Sequence, residues 1–145
     1  MPNHRFNPDK VVDALDYVLQ RVGPSTRMKT VKLLYMADRY HVVRYGTPVL
    51  GDVYYRLPWG PIPSRSLDML ESAADVAAND PEAPPDDFSA RLLARIAVDK
   101  PESKYAEYRS REERQRAPDY LSQSEIEALD AVIKKYGDWS AVALS

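Results

Sequence analysis

Met28-Lys29-Thr30-Val31-Lys32-Leu33-Leu34-Tyr35-Met36-Ala37-Asp38 decides the fold. Its apolar side chains recur on two faces at once. Met28, Val31, Leu34, Tyr35, Val42 and Tyr45 share one, and Leu33, Met36, Ala37 and Tyr40 share another. The spacing predicts a helix capped by Ser25 or Thr26, running to about Tyr45 and stopped by Gly46. A helix with no solvated face has to be wrapped by the rest of its domain. The expected fold is therefore mainly α, of the α+β kind: a compact helical domain around a central buried helix, with a small β-hairpin or short strands. Asp38 falls on the buried stripe, where a lone charge is costly. It is expected to order the core by accepting from a Tyr hydroxyl, a nearby N–H or an Arg. His41, three residues on, is its nearest titratable neighbour.

Downstream, Gly46-Thr47-Pro48-Val49-Leu50-Gly51-Asp52 leads into Val49 to Leu57, which reads as one or two short strands. Pro58 forbids a central strand beyond, and Gly60-Pro61 with Pro63-Ser64 reads as a turn into a third helix capped by Ser64. The stripe of that helix is Leu67, Leu70, Ala73, Ala74 and Ala77. Asn79 to Asp87 is acidic, proline-rich and aperiodic, a solvated loop and the best hinge. Arg91 to Val98 fits either a helix or a strand. Tyr105 to Tyr108 alternates, and Arg109 to Arg116 is charged enough for an exposed loop or a frayed helix. Ser122-Gln123-Ser124-Glu125 is a capping box opening a last helix with Ile126, Leu129, Val132, Ile133 and Tyr136 on its core face and Gly137 just past its end. Asp138-Trp139-Ser140 is expected to start a further helix that Ser145 cuts short. Upstream, Asn7-Pro8-Asp9 opens an ordinary amphipathic helix with Val11, Val12, Leu15, Val18, Leu19 and Val22 inside and Gly23-Pro24 at its end.

The chain has 145 residues, enough for one domain with a real core. It has no cysteine, which removes disulfides, thiolate metal sites and cysteine nucleophiles. No apolar run approaches the ~20 residues a membrane helix needs, and no signal peptide is visible, so a cytoplasmic protein is expected. The net charge of −2 hides an asymmetry: residues 26–65 carry seven basic side chains against two acidic ones, a net of +5, leaving −7 elsewhere. Metal-ligand spacing, a phosphate-binding Gly loop and a nucleophile beside His41 are all missing from the pattern, so neither an enzyme nor a bound cofactor is expected.

Lys32-Leu33-Leu34-Tyr35-Met36-Ala37-Asp38, Tyr45-Gly46-Thr47-Pro48, Gly51-Asp52-Val53-Tyr54 and Trp59-Gly60-Pro61-Ile62 resemble the Panacea antitoxin domain family. So does the stretch from Leu121-Ser122 through Glu125, Leu129 and Tyr136-Gly137 to Ser140. The family includes SocA-like antitoxins and phage-associated proteins, and the matched motifs run from about Phe6 to Leu144. The resemblance implies a single Panacea-like domain over 1–145, shortened at its C-terminus. It implies an antitoxin that neutralises a cognate protein toxin by direct contact. In SocA-like members the antitoxin also hands its toxin to an AAA+ protease as an adaptor.

On this reading Tyr55, Arg56, Trp59 and Arg65 are the candidate partner anchors, with Arg39 and Arg44 beside them, because interfaces favour Trp, Tyr and Arg. Trp59 has a second reading as a packed ring fixed by Gly60-Pro61. Asp38, Tyr35, Gly46, Gly60 and Pro61 are expected to be structural. Exposed hairpin aromatics would also suit a homo-oligomer. The alternative function is a nucleic-acid-binding, autoregulatory module using the basic 26–65 segment. The acidic pI of about 5.7 and the lack of a recognition helix rich in Arg, Asn and Gln argue against it. A hydrolase built on Asp38 and His41 is a third, weaker reading.

Overall fold

Asn7 starts α1 (Pro8–Val22) by accepting the Asp9 N–H at 3.0 Å, with Pro8 at the position where no intrahelical donor is needed. The two-residue strand β1 (Ser25–Thr26) follows, and Thr26 Oγ1 then caps α2 (Arg27–Tyr45) by accepting from the Lys29 N–H. Gly46 ends α2 in the left-handed conformation (φ 81°), its N–H returning to the Val42 carbonyl. These elements come from a computed structural model that describes residues 6–58, 60–79, 87–112 and 117–144.

The strand β2 (Tyr54–Leu57) pairs antiparallel with β3 (Gly60–Pro63), Tyr54 opposite Pro63 and Arg56 opposite Pro61. The turn expected at Gly60 to Pro63 is thus the second arm of a hairpin. Pro61 and Pro63 have the same parity, so both missing donors fall on the edge that a two-stranded ribbon leaves open. Next come α3 (Ser64–Asn79), α4 (Asp87–Arg95), β4 (Ile96–Asp99), β5 (Glu107–Ser110) and α5 (Gln123–Tyr136). Arg91 to Val98 resolves its ambiguity by being both, a helix to Arg95 and a strand from Ile96. The strands β1, β5 and β4 form an antiparallel sheet in that order, so Arg109 and Ser110 lie in a strand rather than a loop. Most of the expected hinge (80–86) and part of the charged stretch (113–116) lie outside the described residues. The domain is mainly α with a small β component, as its sequence predicts.

The burial reverses the expected roles of the first two helices. Every residue of α1 from Val11 to Leu19 is buried, including Asp13 and Asp16. Its polar face is covered by Arg95, whose guanidinium reaches both carboxylates at 2.6 Å, by Ser110 Oγ on Asp16, and by the Tyr120 N–H on Asp13. Helix α2 is enclosed only through its first half and at Ala37, Asp38 and His41. Val42, Val43, Arg44 and Tyr45 are exposed, Val43 by 78 %. A helix of this length spans about 28 Å, and α5 follows it to its end, where Glu127 meets Arg44 and Tyr45, without covering the outward face of Val42 and Val43.

Helix α5 runs antiparallel to α2. Lys32 Nζ donates to the Ala141 carbonyl at 2.9 Å near one end, and His41 meets Ser124 near the other. The capping box at Ser122 and Glu125 is formed in both directions. Beyond Gly137 the chain makes a single turn, Leu144 N–H to the Ser140 carbonyl, instead of the expected further helix.

Candidate functional site

Asp38 is 3 % exposed and accepts three hydrogen bonds. The Val49 N–H (2.8 Å) and the Leu50 N–H (2.9 Å) share Oδ1, and the Tyr54 hydroxyl donates to Oδ2. Burial pushes its carboxyl up to about 6, while the two backbone donors pull it the other way. The loop after α2 and the hairpin are thereby fastened to one side chain. Tyr35 adds an edge-on contact with the Tyr54 ring at 5.4 Å.

His41 does not pair with Asp38. Its Nδ1 meets the Thr47 carbonyl, which can only accept, so Nδ1 carries the proton; Nε2 lies 2.9 Å from Ser124 Oγ. Ser124 therefore donates its hydroxyl to the unprotonated Nε2, a pair with the reach of a base and a hydroxyl. It bridges α2, its following turn and α5, and neither residue lines either of the two grooves beside α2. Asp52 is also structural. It accepts the N–H groups of Arg65 (2.9 Å) and Ser66 (2.8 Å) and the Ser66 hydroxyl, and so caps α3. Ser64, the expected cap, instead donates its hydroxyl to the Val53 carbonyl.

The far half of α2 is one of the open apolar surfaces among the described residues. A groove of about 690 Å³ lies between it and α5, floored by Met36, Tyr40, Val132 and Tyr136 and edged by Arg39 and Lys135. A smaller one, about 280 Å³, lies on the other flank, between Arg39, Val43 and the ring of Tyr54 at the base of the hairpin. Arg39 and Val43 form the ridge shared by both. A model of the SocA-like antitoxin Panacea domain matches residues 31–145.

The chain belongs to the Panacea family of antitoxin-like domains. No curated protein and no solved structure matches it. The match begins at Val31, inside α2, so α1 and β1 precede the part of this Panacea domain that the family model covers. Membership implies a protein as partner. No helix among the described residues is long and apolar enough to cross a membrane, and no group of His, Asp and Glu among them is placed to hold a metal ion.

Of the anchors expected in this Panacea domain, the structure brings Arg39 and Arg44 to the larger groove. Arg44 stacks on Tyr40 and lies 3.8 Å from Glu127. Arg56, on the hairpin, and Arg65, over the ring of Phe6, are both exposed but line neither groove. Tyr55 stands in β2 opposite Ile62; Trp59 lies outside the described residues. Gly60 has a positive φ of 111° at the start of β3, and Pro61 follows it in the strand. The basic residues of 26–65 do not share one surface. Arg27 pairs with Glu71, Lys32 is buried against Ala141, and Arg65 sits at the start of α3. Sequence reading missed Val43, Lys135 and Tyr136 as surface groove residues. The doublet Val42-Val43 between two arginines was the available signal, since a buried stripe rarely carries Arg on both sides of it.

Proposed function

We propose that this Panacea domain is a cytoplasmic antitoxin, acting as one domain over 1–145, that neutralises a cognate protein toxin by direct contact and without chemistry of its own. One observation carries the reading. The second half of α2 exposes Val42, Val43 and Tyr45 next to Arg39 and Arg44, with a groove on each flank. Apolar surface gathered with tyrosine and arginine is the composition of protein interfaces, and a monomer gains nothing from leaving it wet. Of the titratable groups that first suggested catalysis, Asp38 holds backbone N–H groups and a Tyr hydroxyl, and His41 ties the Thr47 carbonyl to Ser124; neither His41 nor Ser124 lines either groove. The dispersal of the basic residues among separate contacts leaves the nucleic-acid reading without a continuous track for phosphates.

Co-expression with the product of the adjacent gene tests the proposal. The wild-type chain should restore growth against that toxic product and co-purify with it, and Val43→Asp should lose both while keeping its melting temperature. A wild-type chain that fails to restore growth overturns it.

A further inference from the structure

We infer that the groove between α2 and α5 receives one amphipathic helix of the toxin, with acidic residues on both sides of its apolar stripe. This deepens the antitoxin reading and rests on it. The geometry of the walls points to a helix. Met36, Tyr40 and Val43 follow one another along α2 at i, i+4 and i+7, and Val132 and Tyr136 follow along α5 at i and i+4. Two such ridges, running antiparallel, leave a trough into which a third helix places residues of the same spacing. The lined stretch of α2, Tyr35 to Arg44, is about 13 Å long, between two and three turns. Val43 is 78 % exposed at one edge while Val132 is buried at the floor, so apolar side chains reach from rim to base between the flanking cations.

The charge on the walls sets the flanks of the occupant. Arg39, on the α2 wall, is exposed and has no ion-pair partner among the described residues. Lys135, on the α5 wall, is exposed and rests over the Tyr136 ring with no carboxylate beside it among those residues. Arg44, at the end of the same wall as Arg39, is already met by Glu127. One uncommitted cation therefore stands on each side of an apolar trough. Carboxylates on both flanks of an apolar stripe satisfy that pattern, and lysines there meet like charge. Two cations do not make a phosphate track, which separates this site from a nucleic-acid groove.

The test uses the full chain and two short stapled amphipathic peptides with the same leucine stripe, one flanked by Glu and one by Lys, read by fluorescence anisotropy. The wild-type chain should prefer the Glu peptide. Arg39→Glu with Lys135→Glu should weaken that peptide roughly tenfold and invert the preference, since two exposed pairs of up to ~1 kcal/mol each become repulsions. Val43→Asp should weaken both peptides, and Lys104→Glu, in the β4–β5 loop, neither. Equal binding of the two peptides, no binding of either, or an unchanged preference in the double variant overturns the inference. So does a single-stranded oligonucleotide that competes for the groove, or a double variant that only dissociates a homodimer. The growth assay keeps the two proposals apart. If the wild-type chain and the double variant rescue equally, the groove assignment falls and the antitoxin reading stands; if the wild-type chain fails, the underlying reading falls with it.

Discussion

The Tyr54 hydroxyl donates to Asp38, so the hairpin is tied to α2 through a carboxylate that also holds the Val49 and Leu50 N–H groups. Three donors from two segments depend on one buried side chain. Asp38→Ala strands all of them at 1–3 kcal/mol for a buried unmet group, partly relieved by water, for a net loss of about 2–4 kcal/mol. Asp38→Asn keeps an oxygen for the two backbone donors and turns an N–H toward the Tyr54 oxygen, at a cost of about 1 kcal/mol. Urea unfolding should rank wild type above Asn and Asn well above Ala. An Ala variant within ~0.5 kcal/mol of wild type would contradict the role assigned to Asp38.

The same carboxylate gives the fold a pH dependence of definite sign. Burial raises it to about 6 in the folded chain, against an ordinary carboxylate near 3.9 when unfolded. Between about pH 4 and 6 the folded state holds a proton that the unfolded state has released. The contribution of this group to stability is therefore greatest below about pH 4, falls as pH rises through the window, and is level above it. Unfolding free energies of wild type minus Asp38→Asn, measured from pH 4 to 7, should decline across that range. A rising difference would mean that the backbone donors outweigh desolvation.

How far the sequence could be read depends on what each residue's partner was. Local signals were legible: the Asn7 and Ser122 caps, the Gly46 stop and the need of Asp38 for a hydroxyl, N–H or Arg partner follow from groups a few residues apart or from the cost of burying a charge, although which tyrosine serves does not. Long-range coverage was not. Helix α1 shows an amphipathic pattern because Asp13 and Asp16 are charged, and only Arg95, some eighty residues away, makes their burial affordable. Helix α2 shows no continuous polar face, yet Val42 and Val43 are exposed because α5 and the hairpin base flank them without covering them. The site lies in that mismatch between an apolar sequence and missing cover. Its other wall, Val132 to Tyr136, reads in sequence as core.

Glycine is required at two helix ends for different reasons. Gly46 has φ 81° with open space around it, so Gly46→Ala is strained in its backbone alone and should cost about 1 kcal/mol. Gly137, just past the end of α5 as its sequence position predicts, is right-handed, at φ −57°. What it needs is room: a Cβ there would stand 2.5 Å from the Ile133 carbonyl oxygen and 3.2 Å from Val22 Cγ1. Gly137→Ala should therefore cost about 1–3 kcal/mol through displacement of α5 from α1. Thermal unfolding of the two variants side by side checks the distinction, and a larger loss at Gly46 would reverse it.

Arg91 and Arg95 sit one turn apart on α4 and both reach acids of α1, but in different surroundings. Arg91 meets Asp9 at 3.1 Å with both side chains substantially exposed, a pair in which screening and side-chain entropy leave roughly 0–1 kcal/mol. Arg95 meets Asp13 and Asp16 at 2.6 Å each, and neither carboxylate reaches solvent. Arg91→Ala should shift the urea midpoint little. Arg95→Ala leaves two carboxylates buried with one neighbouring cation fewer, and breaking such a pair costs about 3–5 kcal/mol, a large part of the roughly 5–15 kcal/mol that keeps a domain folded. Neutralising the acids tests whether charge, rather than lost packing, is responsible. Arg95→Ala combined with Asp13→Asn and Asp16→Asn should recover part of the loss, because the uncompensated charges are then gone. If the triple variant is no more stable than Arg95→Ala, the arginine holds α4 against α1 by its apolar stem.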